Sequence, residues 1–135
     1  MKVKFFLVPL FLCFAVFTYS SGEINIKNTT DGKIVVLLEI GEEGISYKTY
    51  TLEKNKEIKN ISNKDLKAIL IYKAPLSLKD KDGKTISITN ATGETQTIRN
   101  LPNPGTGIEE NLQINVTYLI TESDGNYFFG ASAFS

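Results

Sequence analysis

Residues 111–120, NLQINVTYLI, set Leu112, Ile114, Val116, Tyr118 and Ile120 at every second position, with Gln113, Asn115 and Thr117 between them. Successive side chains of an extended chain point to opposite sides, so this alternation predicts a strand with one face in a core and the other toward water. Leu119 interrupts the polar side. It is the place on that face where a loop or partner would cover the strand.

The same period recurs along the chain. EINIKN (23–28) puts Ile24 and Ile26 on one face, and KIVVLLEI (33–40) is apolar on both faces from Ile34 to Leu38. A strand that is apolar on both sides is expected at the centre of a sheet covered on both sides. Asp31-Gly32 in TTDG (29–32) tolerates positive φ and predicts that these two strands form a hairpin. GEEG (41–44) and EKNK (53–56) are turn segments that flank ISYKTYTL (45–52), and EIKNIS (57–62) follows, so a meander is expected.

The segment 66–74, LKAILIYKA, weighs helix against strand. Asn63 fits a helix cap, but Ile69, Ile71 and Tyr72 favour strand, and Pro75 biases Ala74 toward an extended conformation. Strand is favoured. Asp82-Gly83 between LSL (76–78) and TISIT (85–89) predicts a hairpin, and NATG (90–93) another turn. LPNPGTG (101–107) excludes regular pairing through Pro102, Pro104, Gly105 and Gly107; it is the best candidate for a functional loop, although a crossover between two sheets is the stronger expectation. SDGN (123–126) turns the chain into YFFGASAF (127–134), where Gly130 and Ala131 suggest a bulge or a close sheet contact. Short strands separated by frequent turns predict an all-β fold: a single antiparallel β-sandwich or small barrel.

The first 22 residues have a different logic. Lys2 and Lys4 precede an apolar run from Phe5 to Phe17, followed by Thr18, Ser20 and Ser21. That layout predicts a cleaved signal peptide over 1–22, with the cut after Ser20 or Gly22, because the run falls short of the ~20 residues a membrane-spanning helix needs. The remaining residues, 23–135, are expected to form one domain in a secreted or periplasmic protein. Cys13 is the single cysteine and lies in that leader, in a context of Phe11, Leu12 and Phe14 that does not fit a lipoprotein signal. The domain must therefore be held by its apolar core rather than by disulfides.

Charge narrows the partners. The chain has 15 Lys+Arg and 15 Asp+Glu, and removing Lys2 and Lys4 leaves 13 against 15, a net charge of −2. Interspersed charges without a basic block argue against nucleic-acid binding and against adsorption to an anionic membrane.

The residue census excludes much catalysis. There is no His and no Trp in the chain, and no Cys after the leader. Nucleophile systems built on Ser/His/Asp or Cys/His are ruled out, as is a zinc site of the usual His and Cys type. Carboxylates, amines such as that of Lys73, tyrosines and Arg99 remain. Glu42-Glu43 and Glu109-Glu110 are adjacent, so in a strand each pair points to opposite faces, which does not suit paired-acid hydrolysis. Asp80-Lys81-Asp82-Gly83 resembles part of a calcium loop, but a third alternating acid is missing and Ala91 stands where the bidentate Glu belongs; a hairpin turn is expected instead. No phosphate-cradling glycine motif occurs. No catalytic residue, metal ligand or cofactor is therefore assigned.

Four sequons, at Asn28, Asn60, Asn90 and Asn115, are glycosylation sites if the source is eukaryotic and these positions are on the surface. Tyr47 and Tyr50 fall on opposite faces of one strand and Tyr118 lies with the apolar set, so stacking of tyrosines on sugar rings is the lesser expectation. The sequence thus predicts an exported, non-catalytic β-domain that acts by surface contacts with a protein or glycan ligand, as an adhesion, envelope-associated or host-interaction module. The alternatives are a membrane-active β protein, whether pore former or small outer-membrane barrel, a carbohydrate-binding module, and, last, a carboxylate-based enzyme.

Overall fold

A computed structural model describes residues 22–41 and 46–134. The signal-peptide expectation and the Glu42-Glu43 pair lie outside the described residues, apart from Gly22. The elements in chain order are β1 (Glu23–Asn28), β2 (Ile34–Ile40), β3 (Ser46–Leu52), β4 (Glu57–Ser62), β5 (Leu66–Lys73), β6 (Leu76–Lys79), β7 (Thr85–Ile88), β8 (Thr92–Thr97), β9 (Ile108–Glu109), β10 (Val116–Ser123) and β11 (Asn126–Ala133). The segment predicted over 66–74 is strand from Leu66 to Lys73, as its β-branched residues predict.

The strands form a five-stranded sheet in the order β9-β5-β2-β3-β8, a four-stranded sheet in the order β11-β10-β1-β4, and the β6-β7 hairpin. All are open, so the sandwich and not the barrel is the architecture. Ile24 and Ile26 of β1 and Val116, Tyr118 and Ile120 of β10 meet Ile34, Val36 and Leu38 of β2 and Ile69 and Ile71 of β5 in one core between the two larger sheets. The opposite face of the five-stranded sheet carries a second core, in which Val35, Leu37, Leu70 and Tyr72 are covered by Leu76, Leu78, Ile88 and Ile98. Strand β2 contributes to both, and Ile34 through Leu38 are buried without interruption. Each such side chain contributes roughly 1.5–3 kcal/mol on leaving water, so the doubly covered β2 is the main anchor of the fold.

Several expectations are corrected. Strands β1 and β2 are not a hairpin: β2 pairs with β3 and β5, whereas β1 pairs with β4 and, in parallel, with β10. The sandwich is therefore not purely antiparallel. The Asp31-Gly32 segment is a corner that carries the chain from one sheet to the other. Asn28 builds it: Nδ2 donates to the carbonyls of Gly32 (2.8 Å) and Leu52 (3.0 Å), while Oδ1 accepts from the backbone N–H (2.9 Å) and hydroxyl (2.7 Å) of Thr30. With its side chain meeting the Leu52 carbonyl at the end of β3, the backbone leaves the four-stranded sheet. The EKNK turn likewise passes from β3 to β4 between sheets, which breaks the expected meander, and Lys33–Glu53 and Lys54–Asp31 ion pairs link the two corners on the surface.

The strand predicted over 111–120 begins only at Val116. Asn115 has a φ of 59°, which stops the alternation before it. Strand β11 pairs with β10 in unbroken register from Asn126 to Ala133, so Gly130 marks no bulge. The β10–β11 turn has positive φ at both Asp124 (53°) and Gly125 (81°), the geometry that two-residue hairpins require.

Residues 98–107 cross from β8 to β9, between the opposite edges of one sheet rather than between two sheets. Ile98 enters the second core on the way. The Tyr72 hydroxyl donates to the Pro102 carbonyl (2.7 Å), the Thr106 hydroxyl to the Tyr127 carbonyl (2.7 Å), and the Ile71 N–H to the Gly107 carbonyl (2.8 Å). A side chain at 107 would place its Cβ 2.8 Å from the Ile71 carbonyl oxygen, so only glycine lets the loop lie this close to β5.

Candidate functional site

The outward face of the four-stranded sheet follows from the strand period. With Ile24 and Ile26 in the core, β1 turns Asn25 and Lys27 outward; with Val116, Tyr118 and Ile120 inside, β10 turns out Thr117 and Leu119. Register then assembles rows across the sheet. Leu119 lies opposite Gly130 of β11 on one side and Lys27 on the other, and Lys27 lies opposite Glu57 of β4. Thr117 similarly stands between Ser132 and Asn25.

Asn25, Lys27, Glu57, Thr117, Leu119 and Ser132 line an open groove of about 510 Å³, bounded by Lys59 and Asn60 on β4 and by Phe134 beyond β11. Its floor is internally bonded. The Asn25 side chain donates through Nδ2 to the Thr117 hydroxyl (3.4 Å) and accepts through Oδ1 from the Asn60 backbone N–H (2.9 Å). The Asn60 backbone itself has a φ of 60°, beside the register shift between Ile24 and Ile26 in the β1–β4 pairing. Two ammonium groups, one carboxylate, amide and hydroxyl groups, and the apolar Leu119 and Phe134 thus share one surface. Such a set offers directional hydrogen bonds and apolar contact to an extended ligand.

The loop 101–107 sits elsewhere. Its Leu101 and Pro102 face Leu78 and Lys79 across a smaller cavity of about 320 Å³. Among the described residues, the carboxylates and amines weighed as chemistry are dispersed. Glu109 is on β9 opposite Ile69, and its carboxylate accepts from the Asn111 N–H (3.3 Å). Arg99 and Lys73 are exposed. Asp80 forms the expected turn, its Oδ1 accepting from the backbone N–H groups of Asp82 (2.9 Å) and Lys84 (2.8 Å). No cluster of three or more metal-ligating side chains occurs among the described residues. At the β8 edge, hydrogen bonds from the backbone N–H and hydroxyl of Thr92 hold the Glu94 carboxyl below its ordinary range.

The tyrosines among the described residues are part of the two cores. Tyr47 and Tyr50 do fall on opposite sides of β3, one in each core, and Tyr118 is buried between the large sheets with its ring edge-on to Phe129 at 5.9 Å. Burial raises the phenol pKa of Tyr47, Tyr50, Tyr118 and Tyr127, and pushes that of Tyr72 up to about 12.

The sequon asparagines divide. Asn60, Asn90 and Asn115 are exposed, whereas Asn28 is 0% exposed and fully engaged in the corner described above. Asn28 is therefore not the surface position that its sequon suggested. Conversely, the groove was missed by reading single strands, because the adjacency of β4, β1, β10 and β11 is not written in any one of them. Leu119, an apolar residue on a polar face, was its one visible signal. No protein family, curated protein or solved structure matches this chain.

Proposed function

We propose that the chain is an exported, non-catalytic β-domain that binds an extended protein or glycan ligand on the outer face of its four-stranded sheet. The observation that supports this reading is the groove floored by Asn25, Thr117 and Leu119 and flanked by Lys27, Glu57 and Lys59. Its donors and acceptors are held on adjacent strands, and the Asn25–Thr117–Asn60 bonds fix the orientation of the floor before a ligand arrives. Preorganisation of this kind lowers the ordering cost of binding. An open groove of mixed polarity suits recognition by contact, in an adhesion, envelope-associated or host-interaction role.

Glycan arrays and immobilised extracellular proteins probed with the purified protein test this reading. Binding that is lost in both Lys27→Glu and Leu119→Asn, with the fold retained by circular dichroism, supports it. Binding that survives both changes, or reproducible hydrolytic turnover by the protein, overturns it.

A further inference from the structure

The sheets end in edges of different character. Strand β4 carries Glu57 and Lys59 and a positive-φ Asn60, β8 carries Glu94 and a register shift, and β9 is only two residues long. Charges, irregularities and brevity are the usual means by which an edge strand avoids pairing with another chain. Strand β11 has none of them. It is eight residues long, regular throughout, and NYFFGASA contains neither charge nor proline.

The hydrogen-bond phase of this edge follows from its neighbours. The Thr29 N–H donates to the Ile120 carbonyl, so the even-numbered residues of β10 point their backbone groups toward β1 and the odd-numbered ones toward β11. In the β10–β11 register, Gly130 and Ser132 then face inward to Leu119 and Thr117. Tyr127, Phe129, Ala131 and Ala133 direct their N–H and C=O groups away from the sheet. The Tyr127 carbonyl is taken by Thr106, which closes that end. Among the described residues, no backbone group pairs with the outward side of Phe129 to Ala133, a stretch centred on Ala131.

We propose that this edge pairs with the same edge of a second copy of the chain, antiparallel and with a two-fold axis through Ala131, to give one continuous sheet across the dimer. In that register Ala131 faces Ala131 and Phe129 faces Ala133, each facing pair exchanging two hydrogen bonds. The same register sets Phe128 of one copy opposite Phe134 of the other. These are exposed by 41% and 39% and are two of the large apolar side chains the described surface leaves open. Both lie on the outer face, where facing aromatic residues across non-hydrogen-bonded positions interact favourably. Small residues between them, Gly130 and Ser132, keep that face clear. A symmetric contact of this type closes on itself as a dimer. The match of exposed Phe128 with exposed Phe134 about the axis is what selects a second copy over an unrelated strand. The inference does not rest on the ligand reading, although Phe134 also bounds the groove, so the seam adjoins it.

Sedimentation velocity over a micromolar to millimolar series, on the protein in the form that expressing cells accumulate, reads the association directly. The expected result is a concentration-dependent doubling of mass that Ala131→Lys abolishes, because two ammonium groups then meet on the axis, with the circular dichroism spectrum unchanged. In a Cys13→Ser background, an equimolar mixture of Phe128→Cys and Phe134→Cys chains is expected to oxidise to a crosslinked dimer faster than either chain alone. This second measurement decides the matter if Ala131→Lys does not fold. A protein that stays monomeric throughout the series, a dimer that persists in Ala131→Lys, or crosslinking no faster in the mixture than in the separate chains overturns the proposal.

Discussion

The side-chain amide of Asn28 lies 3.0 Å from the carbonyl oxygen of Leu52, joining the end of a strand in one sheet to the end of a strand in the other. Through this contact and its partners at Thr30 and Gly32, one fully buried polar residue shapes the passage between the two layers.

Replacing Asn28 therefore costs more than one hydrogen bond. In Asn28→Ala the Leu52 carbonyl and the Thr30 backbone N–H lose their Asn28 partner at a buried corner, whereas the Thr30 hydroxyl still reaches the Gly32 carbonyl (2.9 Å), and each buried group left unsatisfied costs ~1–3 kcal/mol. Urea denaturation is expected to show a loss of about 2 kcal/mol or more. Asn28→Asp keeps the shape and the acceptor for Thr30 but removes both donated bonds, and is expected to be destabilised as well. A midpoint unchanged in both variants would show that the corner forms without Asn28.

Burial divides the sequons in the same way. If the chain is produced in a eukaryotic secretory pathway, peptide mapping by mass spectrometry is expected to find glycan on folded protein at the exposed Asn60, Asn90 and Asn115. Asn28 is expected to be unmodified, since a glycan there is incompatible with its buried bonds. Modified Asn28 in folded, secreted protein would contradict the packing of this corner.

Tyr118 is held by shape and by its hydroxyl. The oxygen accepts from the Gln113 backbone N–H at 2.7 Å, and the ring meets Phe129 edge-on. Tyr118→Phe retains the ring and loses the bond, so a cost of ~1 kcal/mol is expected. Tyr118→Ala opens a cavity between the large sheets and is expected to cost ~3–5 kcal/mol. Thermal unfolding of the two variants checks the ratio; equal effects would show that packing contributes little beyond the hydroxyl.

Alkaline pH should unfold the domain. Burial favours the neutral phenols of Tyr47, Tyr50, Tyr72, Tyr118 and Tyr127, so their folded pKa values lie above the ordinary 10.0 and that of Tyr72 reaches about 12. Raised folded values mean that the native state holds protons the unfolded chain releases. Their contribution to stability is complete below pH 10.0 and is lost as pH rises toward about 12. Ultraviolet absorbance is expected to show delayed phenol ionisation coinciding with loss of the β spectrum. Ionisation of these tyrosines at the ordinary value, with the fold intact, would contradict their burial.

Most strands were legible because their signals are local. The period of two in 23–28 and the double-sided apolar run in 33–40 survive any choice of partner, and Asp82-Gly83 and Asp124-Gly125 turn the chain by their own dihedral preferences. The failures concern partners and ends. Asp31-Gly32 looks like a hairpin turn, but the buried Asn28 and Thr30 redirect it, and no local rule announces that a sequon asparagine will be buried. Leu112 and Ile114 continue an alternation that Asn115 ends by adopting positive φ, a conformation Asn tolerates without requiring it.

By itself, then, the chain's alternation of apolar and polar side chains determined an all-β fold and the doubly buried β2, and its Asp-Gly pairs determined the turns at 82–83 and 124–125, since pleat and turn geometry depend on neighbours in sequence. Tertiary structure alone decided that β1 runs parallel to β10, that Asn28 is a corner and not a surface site, and which polar faces combine into the groove. The reason is that sheet order depends on hydrogen bonds and packing between segments as far apart as Asn25 and Thr117, and the pattern within one strand is compatible with many neighbours.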